Sequence, residues 1–458
     1  MTAALKVVRA GLFDTVQDLG RIGYMALGML TAGAMDRIGL TLANALAGNP
    51  AGTAGLEIGV MGPDLLVEAD SLRIALVGPL SPSLIDGPDA APKPIESNRT
   101  HLLKRGQTLR VGMVEGSSTA YLAVSGGFDI APFMGSLSTY ARAGIGGLEG
   151  RRLASGDLLA LKREQAPPGD EKRIGAAFDY GSGPIRVVWG PQDDFFSARG
   201  RRTFIESDYK VSKEADRMGI RFEGPTIEHS TGADIISDGI GPGAIQVPGA
   251  GLPIVLLGDR QTVGGYSKIA TVASVDLPRL GRLLPGMTVR FAAVSVEEAE
   301  NLRRDQEQRL QRCIAAFETA RPPGGIDLVR LYEENLIDGV VFQPAVLVLR
   351  FAETVERDAA RPGDVERQQS ACDRAVLQEM EHLLMIEEIG VEQQRCQHAE
   401  ARQRNCRQSH AVADDQQDGA CDLDEHRDRQ QVRDHAAVDH ERDRLVVTLH
   451  LSDARPQE

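Results

Sequence analysis

Glycine constrains this chain more than any other feature: 46 of its 49 glycines precede residue 342. They stand between short apolar runs such as Leu65–Val67, Ile74–Val77, Tyr121–Val124, Ile185–Trp189, Ile254–Leu257 and Val289–Phe291. Runs of that length, broken by Gly, Pro and Asp, are the pattern of strands and tight turns. Many of them at close spacing favour barrels or sandwiches over a doubly wound sheet. Two segments depart from the pattern. Ile38, Leu42 and Leu46 recur every four residues and predict a helix over 35–46. Ser295 and Glu298 have capping-box spacing and predict a helix from Val296 to about Thr319. The polar stretch Lys162–Gly183, with Pro167, Pro168 and Gly169, reads as a linker. The expected class is mainly β (α+β): β units over 1–165 and 184–295, then a helical end over 296–341.

Beyond residue 341 the composition changes. The last 117 residues hold three glycines, no lysine, 15 arginines, 25 acidic residues and seven of the nine histidines. They therefore carry −10 of the net charge of −14. A tail over 342–458 that is disordered, or helical around Asp373–Ile389, is expected. Our hypothesis is that it arises from a shifted reading frame or an extended coding region, because glycine and lysine vanish together. Resequencing across the Val341 codon checks this; an unbroken frame with related tails in close relatives would overturn it. Cys396/His398 and Cys406/His410 invite a zinc reading, but no C-x-x-C spacing accompanies them, and no metal is expected.

The acidic balance argues against nucleic-acid binding. All five cysteines follow residue 312, which excludes a disulfide framework for the body. No basic-then-apolar leader and no apolar run of membrane length occurs, so a cytoplasmic chain without a membrane partner is expected.

Four stretches gather polar side chains among glycines. In Asp14–Tyr24 and Gly33–Asp36, residues Gln17, Asp18, Arg21 and Asp36 combine a carboxamide, two carboxylates and a guanidinium. Arg21 is suited to holding a carboxylate or phosphate; a structural Asp–Arg pair fixing a turn is the alternative. In Gly135–Arg151, Ser136, Ser138 and Thr139 precede Gly144, Gly146, Gly147 and Gly150. Such a loop either offers backbone N–H groups to an anion or turns a barrel corner, and it lacks the Gly-Lys-Ser/Thr close of a P-loop. The third stretch, Asp216–Arg221, contains Arg217. In Gly243–Lys268 an apolar strand delivers Asp259, Arg260, Gln261 and Thr262 at its end, and Tyr266 and Lys268 follow two glycines. Asp259 is placed to act as a general base and Lys268 to stabilise developing negative charge; a solvated hairpin is the alternative.

In order along the chain these stretches resemble one family, the biotin-dependent carboxyltransferase domain of subdomain C or D type, also described as allophanate hydrolase subunit 2. The resemblance rests on Gly11–Arg21, Gly33–Asp36, Ala43–Asn49 with Asn44, Leu56-Glu57, Gly135–Thr139, Gly190–Gln192, Asp216–Gly219, Gly243–Pro248 with Gln246, and Asp259–Tyr266. It runs from about Lys6 to Val341. Ser267 stands where the family more often has proline, and Met287 where an acidic residue is usual.

The resemblance implies cyclophilin-like barrels. Members include the C-type component of 5-oxoprolinase, which implies ATP-dependent opening of 5-oxo-L-proline to L-glutamate with subunits A and B, the latter a subunit 1-type protein. It further implies a small-molecule site drawn from Gln17, Asp18, Arg21, Asp36, Asn44, Ser138, Thr139, Arg217, Gln246, Gln261, Thr262 and Tyr266, with Asp259 and Lys268 catalytic. ATP is the expected cofactor, held at a subunit interface or on a partner. One alternative is the carboxyltransferase part of a urea carboxylase or allophanate hydrolase system, with biotin brought by a separate carrier. Another is a Kip-type regulator of a histidine kinase, which needs no catalysis.

Overall fold

The computed structural model describes residues 3–320, together with two short strands, Val340–Gln343 and Val346–Leu349, which pair antiparallel with each other. The tail expectations, including the helix over Asp373–Ile389, lie outside the described residues.

Strand is the commonest regular structure of the described chain, as the glycine punctuation predicts. The first 161 residues build most of two facing antiparallel sheets. One has six strands in the order Leu158–Ala160, Ala4–Arg9, Asp64–Val67, Thr108–Arg110, Ser83–Ile85, Lys93–Pro94. The other has seven: Thr15–Gln17, Gly55–Gly59, Thr119–Val124, Ser71–Val77, Arg99–Lys104, Lys172–Ile174, Phe317–Thr319. Side chains that alternate along a strand divide between its two faces. Ala120, Leu122 and Val124 accordingly enter the core between the sheets with Leu72, Ile74 and Leu76, while Tyr121 and Ala123 turn to the opposite face with Ala75 and Val77. Helix α1 (Arg37–Leu46) covers that opposite face with Ile38, Leu42 and Leu46, which explains why these strands are buried on both sides.

The second β region is an eight-stranded sheet in the order Thr288–Val289, Tyr209–Val211, Gly219–Glu223, Ile254–Leu256, Ala244–Gln246, Lys268–Val272, Ile185–Trp189, Phe291–Ala293. Its two edge strands are separated in sequence by Arg290 alone, so the edges are drawn together and the sheet rolls into a near-closed barrel. Phe204, Tyr209, Phe222 and Phe291 fill it, with Phe204 and Phe291 stacked at 4.7 Å between centroids. Helix α2 (Ala198–Glu206) supplies Phe204. Asp234–Gly239 and Val263–Tyr266 pair antiparallel as a separate two-stranded ribbon.

Two expectations need correction. The stretch Lys162–Gly183 is no free linker. Arg73 binds the carbonyls of Pro167 (2.6 Å) and Gly169 (2.7 Å) and the Glu171 carboxylate (3.0 Å), and Lys172–Ile174 is a strand of the seven-stranded sheet. Its Pro and Gly content signalled the lack of a periodic apolar face, but a distant guanidinium satisfies its backbone instead. The helix that follows Ser295, α4 (after the one-turn α3, Leu277–Leu280), spans Val296–Ala315; the last residues predicted as helix, Phe317–Thr319, pair as a strand with Lys172–Ile174. Its N-cap is as expected, with Ser295 Oγ accepting from the Glu298 amide at 3.1 Å.

Candidate active site

The site is built around Arg217. It lies in the turn before strand Gly219–Glu223, and its planar fork holds two carboxylates from distant parts of the chain. Nε and Nη2 donate to the two oxygens of Asp259, both at 3.0 Å, in the bidentate arrangement that suits guanidinium and carboxylate. Nη1 donates to Glu57 Oε1, and Nη2 also reaches the Gly33 carbonyl at 2.8 Å. Burial opposes the Arg217 charge, but Glu57 and Asp259 outweigh it and raise its pKa above the ordinary arginine value. Asp259 comes from the end of the barrel strand Ile254–Leu256 and Glu57 from the first unit, so this one side chain fastens the two β regions.

The network continues inward. Glu57 Oε2 accepts from the Tyr121 hydroxyl and from the Met35 amide, each at 2.7 Å. The Tyr121 oxygen accepts from the Asp36 amide at 2.8 Å. Asp36 caps α1 through Oδ1, with Ile38 N at 3.1 Å and Gly39 N at 3.0 Å, and its Oδ2 takes Tyr180 Oη at 2.6 Å and Arg282 at 3.2 Å. The Arg282 guanidinium lies over the Tyr180 ring, 4.3 Å from its centroid. Burial raises the Asp36 pKa against the pull of Tyr180, Gly39 and Arg282, and burial with the Glu57 and Asp36 charges raises that of Tyr121. Tyr121→Phe leaves the buried Asp36 amide without its acceptor. A loss of about 1–3 kcal/mol in urea unfolding is expected, and an unchanged midpoint would contradict this reading.

The residues from Asp14–Tyr24 and Gly135–Arg151 are brought together, and they hold each other. Asp18 accepts from Gly20 N (2.7 Å), Ser136 Oγ (2.7 Å), Leu137 N (2.6 Å) and Ser138 Oγ (2.5 Å). Gln17 donates to Thr15 Oγ1 and the Thr139 carbonyl, and Thr139 Oγ1 returns to the Val16 carbonyl at 3.0 Å. Arg21 donates to the carbonyls of Phe133 and Ser138, with its Nη1 buried and without a partner. The glycine loop turns a corner; it does not cradle an anion. The amides of Gly144, Ile145, Gly147 and Gly150 donate to carbonyls of the same segment. Gly146, at φ 70°, must lack a side chain because a Cβ there would collide with the Ser138 carbonyl and the Arg21 guanidinium. Asn44 lies apart, donating to the carbonyls of Ala51 (3.2 Å) and Thr53 (2.7 Å) at the end of α1.

The remaining expected residues lie on the barrel and the two-stranded ribbon. Lys268 is buried, yet its Nζ reaches Asp238 of the ribbon at 2.7 Å, and this bond with the Gly239 amide holds the Asp238 carboxyl below its usual range. Gln246 is buried, with Nε2 3.5 Å from the Tyr266 carbonyl; Gln261 and Tyr266 are exposed and Thr262 half-buried. Gly264 packs against the Gln246 and Gln261 amides, which places the two carboxamides together. Five partners were not singled out as site residues from sequence: Glu57, Tyr121, Asp238, Tyr180 and Arg282. Glu57 had a signal, since a carboxylate inside the apolar run Gly55–Gly59 needs a partner. The others had none.

Residues 27–293 match the family described as carboxyltransferase domain, subdomain A and B. The chain is also 35% identical over 308 residues to the C-type component of 5-oxoprolinase from Escherichia coli, covering 67% of this chain and 97% of that protein. It belongs to this carboxyltransferase family. The family description carries the labels A and B where the motifs alone suggested C or D. The corresponding 5-oxoprolinase component of Haemophilus influenzae is 34% identical, with 64% of this chain and 92% of that protein covered. The Kluyveromyces lactis urea amidolyase superposes with a TM-score of 0.60 at 30% identity, over 68% of this chain and 20% of that one. As a carboxyltransferase-family fold, the chain presents its shared carboxylate–guanidinium unit at the end of a barrel strand, a rigid place from which to present reacting groups. Among the described residues no helix is long and apolar enough to cross a membrane.

Proposed function

We propose that this chain is the C-type component of an ATP-dependent 5-oxoprolinase, a hydrolase that opens 5-oxo-L-proline to L-glutamate in a cytoplasmic complex with A and B subunits. One observation carries the reading: the similarity extends over nearly the whole of the Escherichia coli 5-oxoprolinase component. A lactam is a poor electrophile. Phosphorylating its carbonyl oxygen, with the phosphoryl group supplied by ATP, activates the carbon to water; the ring C–N bond then breaks with protonation of the nitrogen, and a second water hydrolyses the resulting acyl phosphate to glutamate and phosphate. The glycine loop of this chain does not fit a nucleotide's phosphates, because its amides are already bonded. We therefore assign ATP to a partner or a shared interface.

In this reading Asp259 receives a proton from the attacking water. Arg217 orients it by engaging both oxygens, and each oxygen keeps a further lone pair. Lys268, with two N–H groups beyond its bond to Asp238, offsets developing negative charge. Gln261 and Thr262 stand beside Asp259 past the end of strand Ile254–Leu256, while Gln246 and Tyr266 lie near Lys268 at the other end of the paired strands; these four are the expected substrate contacts. The urea amidolyase likeness favours a second reading, carboxyl transfer from a biotin carrier onto a neutral acceptor.

Co-expression of this chain with A and B subunits, followed by ATP-dependent glutamate release from 5-oxo-L-proline, tests the proposal. Activity needing all three chains, and lowered about 10²–10⁴-fold by Asp259→Asn, is expected. Inactivity of the assembled complex sinks it.

A further inference from the structure

Four arginines are buried among the described residues: Arg21, Arg73, Arg99 and Arg260. Arg73 and Arg99 have carboxylate partners, Glu171 and Glu96, and the other two form no ion pair. Arg260 is the more unusual. Its Nε donates to the Ile240 carbonyl (3.2 Å), and its Nη1 to Thr31 Oγ1 (3.3 Å) and the Leu257 carbonyl (3.2 Å). Its Nη2 has only the thioether of Met25, at 3.3 Å. A thioether is a weak acceptor and carries no charge, so this nitrogen is poorly satisfied and the guanidinium is uncompensated. An isolated buried charge is costly, and burial alone pushes the Arg260 pKa down to about 10.

Arg21 adjoins it through Thr31, whose carbonyl accepts from the Arg21 amide at 2.7 Å while its hydroxyl accepts from Arg260. Arg21 keeps a buried Nη1 without any partner. The other cations suited to an anion are already engaged: Arg217 by Glu57 and Asp259, Lys268 by Asp238. Met25 belongs to a segment with exposed Ile22 (73%) and Leu27 (77%), flanked by Gly23 and Gly28 at positive φ with open space beside them. This segment is thus joined to Arg260 by a single weak contact.

We infer that Arg260 is an anion site, in which the carboxylate of a small substrate displaces the Met25 thioether from Nη2. The inference deepens the oxoprolinase reading and rests on it for the identity of the anion. 5-Oxo-L-proline carries such a carboxylate, and neutral urea does not.

The test uses the full chain labelled with methyl-¹³C methionine, with the Met25 resonance assigned through Met25→Leu. Titration with 5-oxo-L-proline should shift the Met25 methyl saturably. 2-Pyrrolidinone, the same ring without a carboxylate, should bind about tenfold more weakly or worse, and Arg260→Gln should weaken the acid to the same degree. Inorganic phosphate binding more tightly than the acid would support the anion site and assign it to a phosphoryl group. Equal binding of 2-pyrrolidinone, or a Met25 signal that no anion moves, would overturn the inference. The wild-type titration decides the matter even if Arg260→Gln does not fold. It needs neither ATP nor partner chains, so inactivity of the assembled complex beside intact anion binding would sink the oxoprolinase reading alone.

Discussion

Arg217→Met is expected to destabilise the protein by about 3–5 kcal/mol, because it strands two buried carboxylates that one guanidinium now serves. Glu57 and Asp259 would face each other without a cation, and the Gly33 carbonyl would lose its donor. The Arg217 side chain is 23% exposed, so solvent screens part of the effect, but both acids are more deeply buried than the arginine. Adding Glu57→Gln to the variant should recover part of the loss, since an amide tolerates burial better than an unpaired charge. Urea unfolding of the parent, single and double variants measures both quantities. A loss below about 1 kcal/mol would show that the bridge behaves like a surface ion pair. Glutamate release should fall with Arg217→Met even at temperatures where the variant is folded, because Asp259 loses the group that orients it.

Asp14→Asn should produce the opposite result, a gain in stability that depends on pH. The Asp14 carboxyl is buried, neither of its oxygens has a well-aligned hydrogen-bond donor, and burial pushes its pKa from 3.8 to about 7, against weaker lowering by the Gly59 and Gly11 amides. Its folded pKa lies above its unfolded one. Between about pH 4 and pH 7 the folded state therefore binds more protons than the unfolded state, and stability falls as pH rises through that window. Three units correspond to about 4 kcal/mol, fully lost above pH 7. Asparagine does not titrate. The variant should match the parent near pH 4 and exceed it at pH 8 by up to about that amount. Parallel stability curves for the two proteins across this range would show that Asp14 is not held in its neutral form.

Much of the site was legible because its residues come from short motifs with unusual polar content. Asp259, Lys268, Gln246 and Arg217 all stand at or near ends of barrel strands, where the alternation of Val, Ile and Gly announces a strand and the polar run announces its end. What those residues do there was less legible. Asp18, Ser138 and Arg21 have the chemistry of a binding site, yet the structure uses most of their hydrogen-bonding capacity to lock two loops 118–120 residues apart. Residue type reveals that a polar group needs a partner, but not whether that partner is the protein or a ligand. Glu57 illustrates the converse: a carboxylate in an apolar strand had to be paired, and only the fold supplied Arg217, 160 residues away.

The sequence by itself determined much of the local structure: strands at most of the short apolar runs between glycines, α1 from its four-residue apolar spacing, the start of α4 from Ser295 and Glu298, and family membership from motifs in order. These depend on backbone propensity and on contacts within a few residues, which a linear reading contains. The tertiary structure alone decided which charges pair, that Lys162–Gly183 is stitched down by Arg73, and that Arg260 has no counter-ion among the described residues. Each of those outcomes depends on which distant segments sheet closure brings within about 3 Å, because a hydrogen bond or ion pair acts only at contact distance.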